Sequence, residues 1–257
     1  MTVRTASRDR VLRVTIDRPA QRNALNVDVN RQLLAALTEA REDDAVAVVV
    51  LTGAGDQAFC AGGDLGGMRT EAGAVAQHRD RALFGDLLLA LRQIPKPVVA
   101  RVNGHALAGG FGLMLACDMA IATEDATLGT TEVKVGMWPY MITTVIVDHL
   151  GPKRALELML TGRRISAEQA AGWGLVNRVV PGQELDEAVD ELVNELLALS
   201  PVVLSLGKEA FARAAGMRRE DALGYLASML SLHLQTEDVA EGIAAFLAKR
   251  PPQWRGR

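Results

Sequence analysis

The sequence of 257 residues is poor in cysteine, histidine and aromatic side chains. Its two cysteines, Cys60 and Cys117, are too few for a disulfide framework. Together with the four histidines they show no metal-ligand spacing, so we expect no metal centre. A formal net charge of −3 gives the chain no global basic field, and we therefore expect no nucleic-acid partner.

Long apolar runs are absent as well. No run of about 18 apolar residues occurs, so the sequence predicts no membrane span. The segment MTVRTASRDR at the start is polar and lacks the apolar core of a signal peptide, which favours a cytoplasmic location. The composition, 49% hydrophobic and 23% charged, is typical of a globular protein.

Strands and helices alternate through the first part of the chain. Apolar alternation and β-branched runs predict strands at 11–16, 46–51, 98–103 and 119–123. One helix is predicted after Asp28, which we expect as its N-cap, and another over 75–94. Such alternation is an α/β pattern.

From about residue 152 onward the pattern is mainly helical. Helices are predicted near 152–160, 184–199, 201–215 and 221–248, with one more strand at 177–180. We place a boundary near residue 200. The segment 200–257 is too short for a large core of its own, so we expect it to pack on the body formed by 1–199 or on a neighbouring subunit.

Two glycine-rich turns follow predicted strands, FCAGGD at 59–64 and NGHALAGGFG at 103–112. Glycine allows the backbone to approach a ligand closely and to direct an N–H group at it. Two such groups from separate turns could converge on one oxygen and form an oxyanion hole. Small residues also occur where helices pack tightly on strands, and the spacing alone does not decide between these readings.

A nicotinamide dehydrogenase is the alternative from another enzyme class. The segment GAGDQA at 53–58 fits the dinucleotide fingerprint G-x-G-x-x-A after a strand. The helix that this fingerprint requires is interrupted at once by AGGDLGG. Asp56 also puts a carboxylate where a pyrophosphate needs neutral amides. We therefore disfavour this alternative.

Several motifs, in order along nearly the whole chain, resemble the enoyl-CoA hydratase/isomerase (crotonase) superfamily. They are RPAQRNALN (18–26), VVVLTGAGDQAFCAGGDL (48–65), PVVARVNGHALAGGFGLMLACD (97–118), GTTEVKVGMWP (129–139), LMLTGRRISAEQAAGWGLVNRVV (158–180) and GIAAFLAKR (242–250). The resemblance implies an α/β fold, a crotonase-like spiral of ββα units with a helical C-terminal region that supports trimers or hexamers. It also implies an acyl-CoA substrate, with coenzyme A as part of the substrate and no separately bound cofactor.

The resemblance carries functional roles onto individual positions. The backbone N–H groups of Gly63 and Gly109 match the two oxyanion donors, each of which is typically worth about 3 kcal/mol of barrier. Glu132 matches one of two catalytic glutamates. The position of the other glutamate holds Gly112, which cannot transfer protons. One carboxylate is sufficient to move a proton between two carbons. Adding water across a double bond is easier when two carboxylates share the proton transfers.

We therefore expect isomerisation of a double bond, with Glu132 as base and acid. Hydratase activity, decarboxylation, thioester hydrolysis and non-catalytic acyl-CoA binding remain alternatives. The segment after Glu132 also departs from the family pattern, because bulky residues replace a glycine-rich stretch. Together with Gly112, we expect Trp138 and Tyr140 to line the pocket, although Tyr140 could equally be a core aromatic.

The remaining assignments concern coenzyme A. The resemblance implies contacts to its nucleotide end from Arg22 and Lys249, the latter reaching across a subunit boundary in some relatives. Either residue could instead be a solvated charge. Ala24, Ala61 and Asp64 are assigned to the same binding region. For Asp64 we prefer a structural role as the cap of a short helix.

Overall fold

The computed structural model describes residues 2–67 and 73–257. The strands of this part of the chain are β1 (Val3–Arg8), β2 (Val11–Ile16), β3 (Val48–Gly53), β4 (Ala58–Cys60), β5 (Val98–Val102), β6 (His105–Leu107), β7 (Met119–Thr123), β8 (Thr127–Gly129), β9 (Ile165–Ser166) and β10 (Arg178–Val180). Its helices are α1 (Val27–Glu42), α2 (Ala74–Gln93), α3 (Gly109–Leu115), α4 (Thr143–Thr161), α5 (Ala167–Gly172), α6 (Leu185–Leu197), α7 (Pro201–Ala214), α8 (Arg219–His233) and α9 (Glu237–Leu247).

The strands form two sheets, and from β3 to β8 consecutive strands alternate between them. The larger sheet has the order β1-β2-β3-β5-β7-β10, and the smaller one the order β4-β6-β8-β9. Each of the pairs β3–β4, β5–β6 and β7–β8 therefore contributes one strand to each sheet. Pairing is parallel within both sheets except for β1 with β2 and β8 with β9. This arrangement confirms the predicted α/β spiral of ββα units.

Local sequence explains the main elements. All six residues of β3 are buried, as expected for an apolar, β-branched strand in a parallel sheet covered on both faces. Helix α1 buries Val29, Leu33 and Leu37 on one face. Its N-cap is Asn26, whose side chain accepts from the Val29 N–H, so the prediction of Asp28 as cap was wrong. Asp28 lies in the first turn, where its charge suits the helix dipole.

Other differences from the prediction lie at short or interrupted elements. Strand β1 was missed because its side chains are mostly exposed, and the three-residue strands β4, β6 and β8 are too short for a periodic signal. Helix α4 begins nine residues before the predicted start near 152, because the chain continues across a break at Gly151 (φ 67°). The predicted helix over 221–248 is two helices, α8 and α9.

The dinucleotide alternative is overturned by the segment after β3. In place of the helix that this fingerprint needs, strand β4 follows and joins the smaller sheet beside β6. A pyrophosphate at this turn would therefore meet no helix N-terminus.

A polar contact that the sequence did not reveal joins α7 to the body. Lys208 of α7 donates to the carbonyl of Lys96 (2.9 Å) and to the Asp118 carboxylate (2.5 Å). Asp118 also accepts from the Val98 N–H at the start of β5 (2.7 Å), so its carboxylate joins α7 to the larger sheet. The division near residue 200 stays a prediction, with α7 beginning at Pro201.

Among the helices of the described ranges, none is long and apolar enough to cross a bilayer.

Candidate active site

The two glycine-rich turns meet in the folded chain. A Cβ built on Gly62 would lie 2.6 Å from the Cβ of Ala108 and 3.1 Å from the backbone N of Gly109. Gly62 also has φ +95°, a conformation that glycine adopts without strain. The close approach and the dihedral angle both require glycine at this position. Gly63 and Gly109 are therefore neighbours in space although they are 46 positions apart in the sequence.

The backbone N–H groups of Gly63 and Gly109 are both available to a ligand. On either side of Gly63, Leu25 N donates to the Gly62 carbonyl and Asp64 N donates to the Leu25 carbonyl, each at 2.7 Å. Because successive backbone groups of an extended segment point to opposite sides, the Gly63 N–H faces away from Leu25. Gly109 is the first residue of α3, so its N–H has no helical acceptor. Within the described residues, neither group donates to the protein.

Cys60 supports this arrangement by packing rather than by chemistry. A Cβ on Gly110 would lie 2.1 Å from the Cys60 carbonyl oxygen, so α3 contacts β4 directly at this glycine. The Cys60 thiol is fully buried, and burial raises its pKa to about 12. A thiol with this pKa is protonated at neutral pH and is not a nucleophile.

Glu132 begins a short 3₁₀ turn, Glu132–Val135, and only Thr130 and Thr131 separate this turn from the end of β8. The residue is half-buried, and its Oε2 atom is buried without a hydrogen-bond partner in the part of the chain described. Burial raises the pKa of the Glu132 carboxyl, while backbone N–H groups at Glu132 and Thr131 offset part of this effect. A buried carboxylate oxygen with no protein partner and a raised pKa is typical of a general base.

The position of the missing glutamate is closed by a side chain. A Cβ built on Gly112 would lie only 2.0 Å from Cγ2 of Ile142 and 2.5 Å from its Cβ. Ile142 is 2% exposed and belongs to the main hydrophobic core. Gly112 and Ile142 are thus complementary in shape, and no residue larger than glycine fits at 112 while Ile142 keeps its place.

The other predicted pocket residues lie at different depths. Trp138 is partly buried and packs against the main core, whereas Tyr140 is 77% exposed, which excludes a core aromatic. Their contact with a substrate stays a prediction. Phe84, which sequence reasoning missed, has its Cζ 3.5 Å from a Cβ built on Gly109, so its ring lies beside one of the two predicted oxyanion donors.

The segment around Arg22 and Ala24, which is predicted to bind coenzyme A, runs beside the glycine-rich turn at 59–64. Ala61 N donates to the Arg22 carbonyl at 3.0 Å, which brings Arg22, Ala24 and Ala61 together. Arg22 has an exposed side chain and φ 51°. Lys249 follows α9, is exposed and has φ 51°. These positions suit surface contacts with a nucleotide, and the contacts themselves stay a prediction.

Three supporting residues were missed because their partners are distant in sequence. They are Arg18, which forms an ion pair with Asp64, Asn23, which binds the carbonyls of Ala54 and Ala58, and Ile142. The only sequence signal was that Arg18 and Asn23 lie within the motif RPAQRNALN. Asp64 Oδ1 also accepts from the Gly66 N–H (3.2 Å), in agreement with the capping role preferred for it.

Available N–H groups at Gly63 and Gly109, and a buried carboxylate oxygen on Glu132 without a hydrogen-bond partner among the described residues, are the groups expected of one class of site. It can stabilise negative charge on a carbonyl oxygen while a proton moves at a nearby carbon. The sequence model of the family described as enoyl-CoA hydratase/isomerase matches residues 6–257. The chain belongs to this family of enzymes acting on acyl-CoA.

Individual relatives agree with this assignment. A Thermus thermophilus protein, named provisionally as an enoyl-CoA hydratase, is 41% identical over 94% of this chain and 96% of its own. Carnitinyl-CoA dehydratase of Salmonella typhi is 35% identical over 96% of this chain and 95% of its own. The crystal structure of enoyl-CoA hydratase from Bacillus anthracis superposes with a TM-score of 0.94 at 34% identity, covering 100% of both chains.

Proposed function

We propose that this enzyme moves a double bond between the 3 and 2 positions of an enoyl-CoA by reversible proton transfer. The observation that carries the proposal is the pairing of one available acid, Glu132, with a closed position at Gly112. Oxyanion donors support chemistry on a thioester, and the single acid restricts which chemistry follows. Arg22 and Lys249 are proposed to bind the nucleotide end of the coenzyme A portion.

The proposed steps follow the electrons from one carbon to another. The Glu132 carboxylate removes a proton from C2 of a 3-enoyl thioester, and the electron pair of that C–H bond shifts onto the carbonyl oxygen. The N–H groups of Gly63 and Gly109 stabilise the resulting enolate. Protonated Glu132 then returns the proton to C4, and the double bond forms between C2 and C3. No atom is gained or lost, so no co-reactant is required.

The raised pKa of Glu132 suits this work. A carboxylate that is more basic than usual removes a carbon-bound proton more easily, because the difference in pKa between the carboxyl group and the carbon acid is smaller. Burial supplies this basicity, because the charged form loses hydration. Oε2 of this carboxylate has no hydrogen-bond partner among the described residues, so it is free to accept a proton from the substrate.

Hydration is the second candidate, and the names of the relatives favour it. In this chain Ile142 fills the space next to Gly112, where a second acid would stand. A hydratase would need Glu132 alone both to activate water and to manage the proton delivered to C2. The apolar Ile142 offers no hydrogen bond to a water molecule, and we therefore rank hydration below isomerisation.

Exchange of C2 protons with deuterated solvent tests the proposal in two stages. A saturated acyl-CoA should exchange its C2 protons in the presence of the enzyme. A chain that bound the thioester without exchange would be a binding protein and not an enzyme. A 3-enoyl-CoA should then convert to the 2-enoyl form. Rapid hydration of crotonyl-CoA that survived Glu132→Gln would overturn the mechanism.

We also propose a trimer, or a dimer of trimers, from the uncovered apolar surface of the C-terminal helices. Phe211 (75% exposed), Leu223 (64%) and Phe246 (83%) lie on α7, α8 and α9. A groove of about 560 Å³ separates α7 from α8 and is lined mainly by apolar residues. So much apolar surface is typical of a subunit interface.

Light scattering should give a trimer mass that high salt does not reduce. A fully active monomer would contradict this.

A further inference from the structure

Arg18 joins the segment 18–25 to the glycine-rich turn at 59–64, which contains Gly63. Its Nη1 donates to the Ala24 carbonyl at 2.6 Å, and its Nη2 donates to Oδ2 of Asp64 at 2.8 Å. The side chains of Arg18 and Asp64 are 13% and 23% exposed, so both ends of the contact are largely shielded from water. Charge-assisted hydrogen bonds of this length in a shielded place are strong and directional.

The contact reaches the backbone next to Gly63. Asp64 is the residue after Gly63, and its own N–H already donates to the Leu25 carbonyl at 2.7 Å. The Arg18 guanidinium thus joins the same two segments that this backbone bond joins. The peptide unit of Gly63 is held from its C-terminal side by a backbone bond and a side-chain ion pair.

The backbone of Arg18 is held in place by hydrogen bonds. Its backbone N–H donates to Oδ1 of Asn23 at 3.0 Å, and Asn23 donates through Nδ2 to the carbonyls of Ala54 (2.9 Å) and Ala58 (2.7 Å). Asn23 is fully buried and has φ 57°. The arginine therefore projects from a rigid turn and not from a mobile loop.

Such support matters because Gly62 and Gly63 have no side chains to pack. A glycine backbone rotates more freely than any other, so neighbours must set the direction of its N–H. An oxyanion donor acts only when it lies about 2.7–3.1 Å from the charged oxygen. Contacts around Gly63 therefore determine how well its N–H meets the substrate.

We propose that Arg18 is a positioning residue that aims the Gly63 N–H at the thioester oxygen. The inference rests on the proposed function, since it needs Gly63 to be an oxyanion donor. A planar guanidinium reaches two acceptors in different directions at once, whereas the single ammonium of lysine cannot reproduce that fork. The identity of arginine at this position is therefore part of the proposal.

A chromophoric thioester tests the proposal separately from folding and affinity. The probe is an acyl-CoA whose carbonyl is conjugated to an electron-donating aryl group, because hydrogen bonds to that oxygen shift its absorption to longer wavelength. Spectra are taken at saturating enzyme for the parent, Arg18→Met, Arg18→Lys and Asp64→Asn. Arg178→Met is the control, because its partner Glu191 lies 2.7 Å away in an exposed pair outside the site.

We expect the parent and Arg178→Met to show the full red shift. Arg18→Met and Asp64→Asn should lose more than half of it, with C2 proton exchange reduced about 10- to 100-fold, the cost of a small misplacement. Arg18→Lys should lie nearer to Arg18→Met than to the parent. Should Arg18→Met fail to fold, Asp64→Asn decides the question.

The outcomes separate the two levels of the proposal. A full red shift in folded, saturated Arg18→Met or Asp64→Asn would overturn the role of Arg18 and leave the oxyanion assignment intact. A parent enzyme that bound the probe without any shift would overturn the oxyanion assignment, and the role of Arg18 with it.

Discussion

The oxyanion side and the acid side of the site are built differently. On the oxyanion side, the groups assigned to catalysis are backbone N–H groups, and glycines at 62 and 110 are required by contacts under 3 Å. On the acid side, the groups are side chains, and one family acid is replaced by Gly112 with Ile142 filling its place. In the proposed mechanism, the side that binds the thioester keeps the family pattern, and the side that moves the protons departs from it.

This difference indicates how one fold supports several reactions. Backbone donors depend on the packing of β4, α3 and their turns, so they change only if the fold changes. Side chains at 112, 132 and 142 can be exchanged with local repacking. In the proposed mechanism, substrate class and reaction type thus depend on separate parts of the same site.

Removal of the acid should have the largest effect. We expect Glu132→Gln to reduce C2 proton exchange by about 10³-fold, since a general acid–base group typically contributes about 10²–10⁴. The amide keeps the size of the side chain, so thioester binding should persist. Glu168→Gln, an exposed glutamate in the first turn of α5, is the matched control. An exchange rate within tenfold of the parent would remove Glu132 from the mechanism.

The same variant should be more stable than the parent at neutral pH. Burial raises the pKa of Glu132 in the folded state, so ionisation costs more there than in the unfolded chain. This cost is absent below the ordinary carboxyl pKa and grows as pH rises through the raised value. Thermal unfolding at acidic and neutral pH should show Glu132→Gln gaining over the parent only at neutral pH. An equal gain at both pH values would contradict the cited shift.

A change on the oxyanion side should come next in size. Gly62→Ala places a methyl group against Ala108 at a position with φ +95°. We expect exchange to fall by about 10²-fold, as for loss of one oxyanion donor, together with about 1–3 kcal/mol of stability. Gly172→Ala is the control, because its Cβ would meet nothing within 4 Å. Unchanged exchange in a folded Gly62→Ala would show that the turn tolerates displacement.

On the acid side, Gly112→Glu should be tolerated better when Ile142 is replaced at the same time than when it is made alone. Gly112→Glu alone is expected to lose stability by about 1–3 kcal/mol or more, through overlap with Ile142. Combined with Ile142→Gly, the overlap is relieved and a second carboxylate enters the site. We expect measurable hydration of crotonyl-CoA in the double variant only. Equal hydration in Gly112→Glu alone would show that Ile142 does not block that position, and Ile142→Gly by itself controls for the added space.

The smallest effect is expected at Tyr140. Its side chain is 77% exposed, so its hydroxyl has no need of a buried partner. Tyr140→Phe should leave proton exchange within about twofold of the parent, the scale of surface substitutions. A tenfold loss in steady-state assays would instead place the hydroxyl in the working pocket and extend the acid side beyond Glu132.

Much of the fold was predictable because its signals are local. Strands β2 and β7 were predicted to the residue, and α2 within one residue at each end, since periodicity and flanking turns mark them. Elements without a periodic pattern were not predictable: β4, β6 and β8 have three residues each and depend on pairing with one another. The N-cap of α1 was misplaced by two residues because Asn26 and Asp28 are both good caps.

The sequence by itself determined the α/β class, the family motifs and the candidates Gly63, Gly109 and Glu132, because these depend on residue identity and order along the chain. Only the tertiary structure revealed that Ile142 closes the space at Gly112 and that Arg18 binds Asp64. These contacts join residues 30 and 46 positions apart, and no local pattern reports a distance of that kind. Contact and burial decide which groups are close enough to react, and both are set by packing of the whole chain.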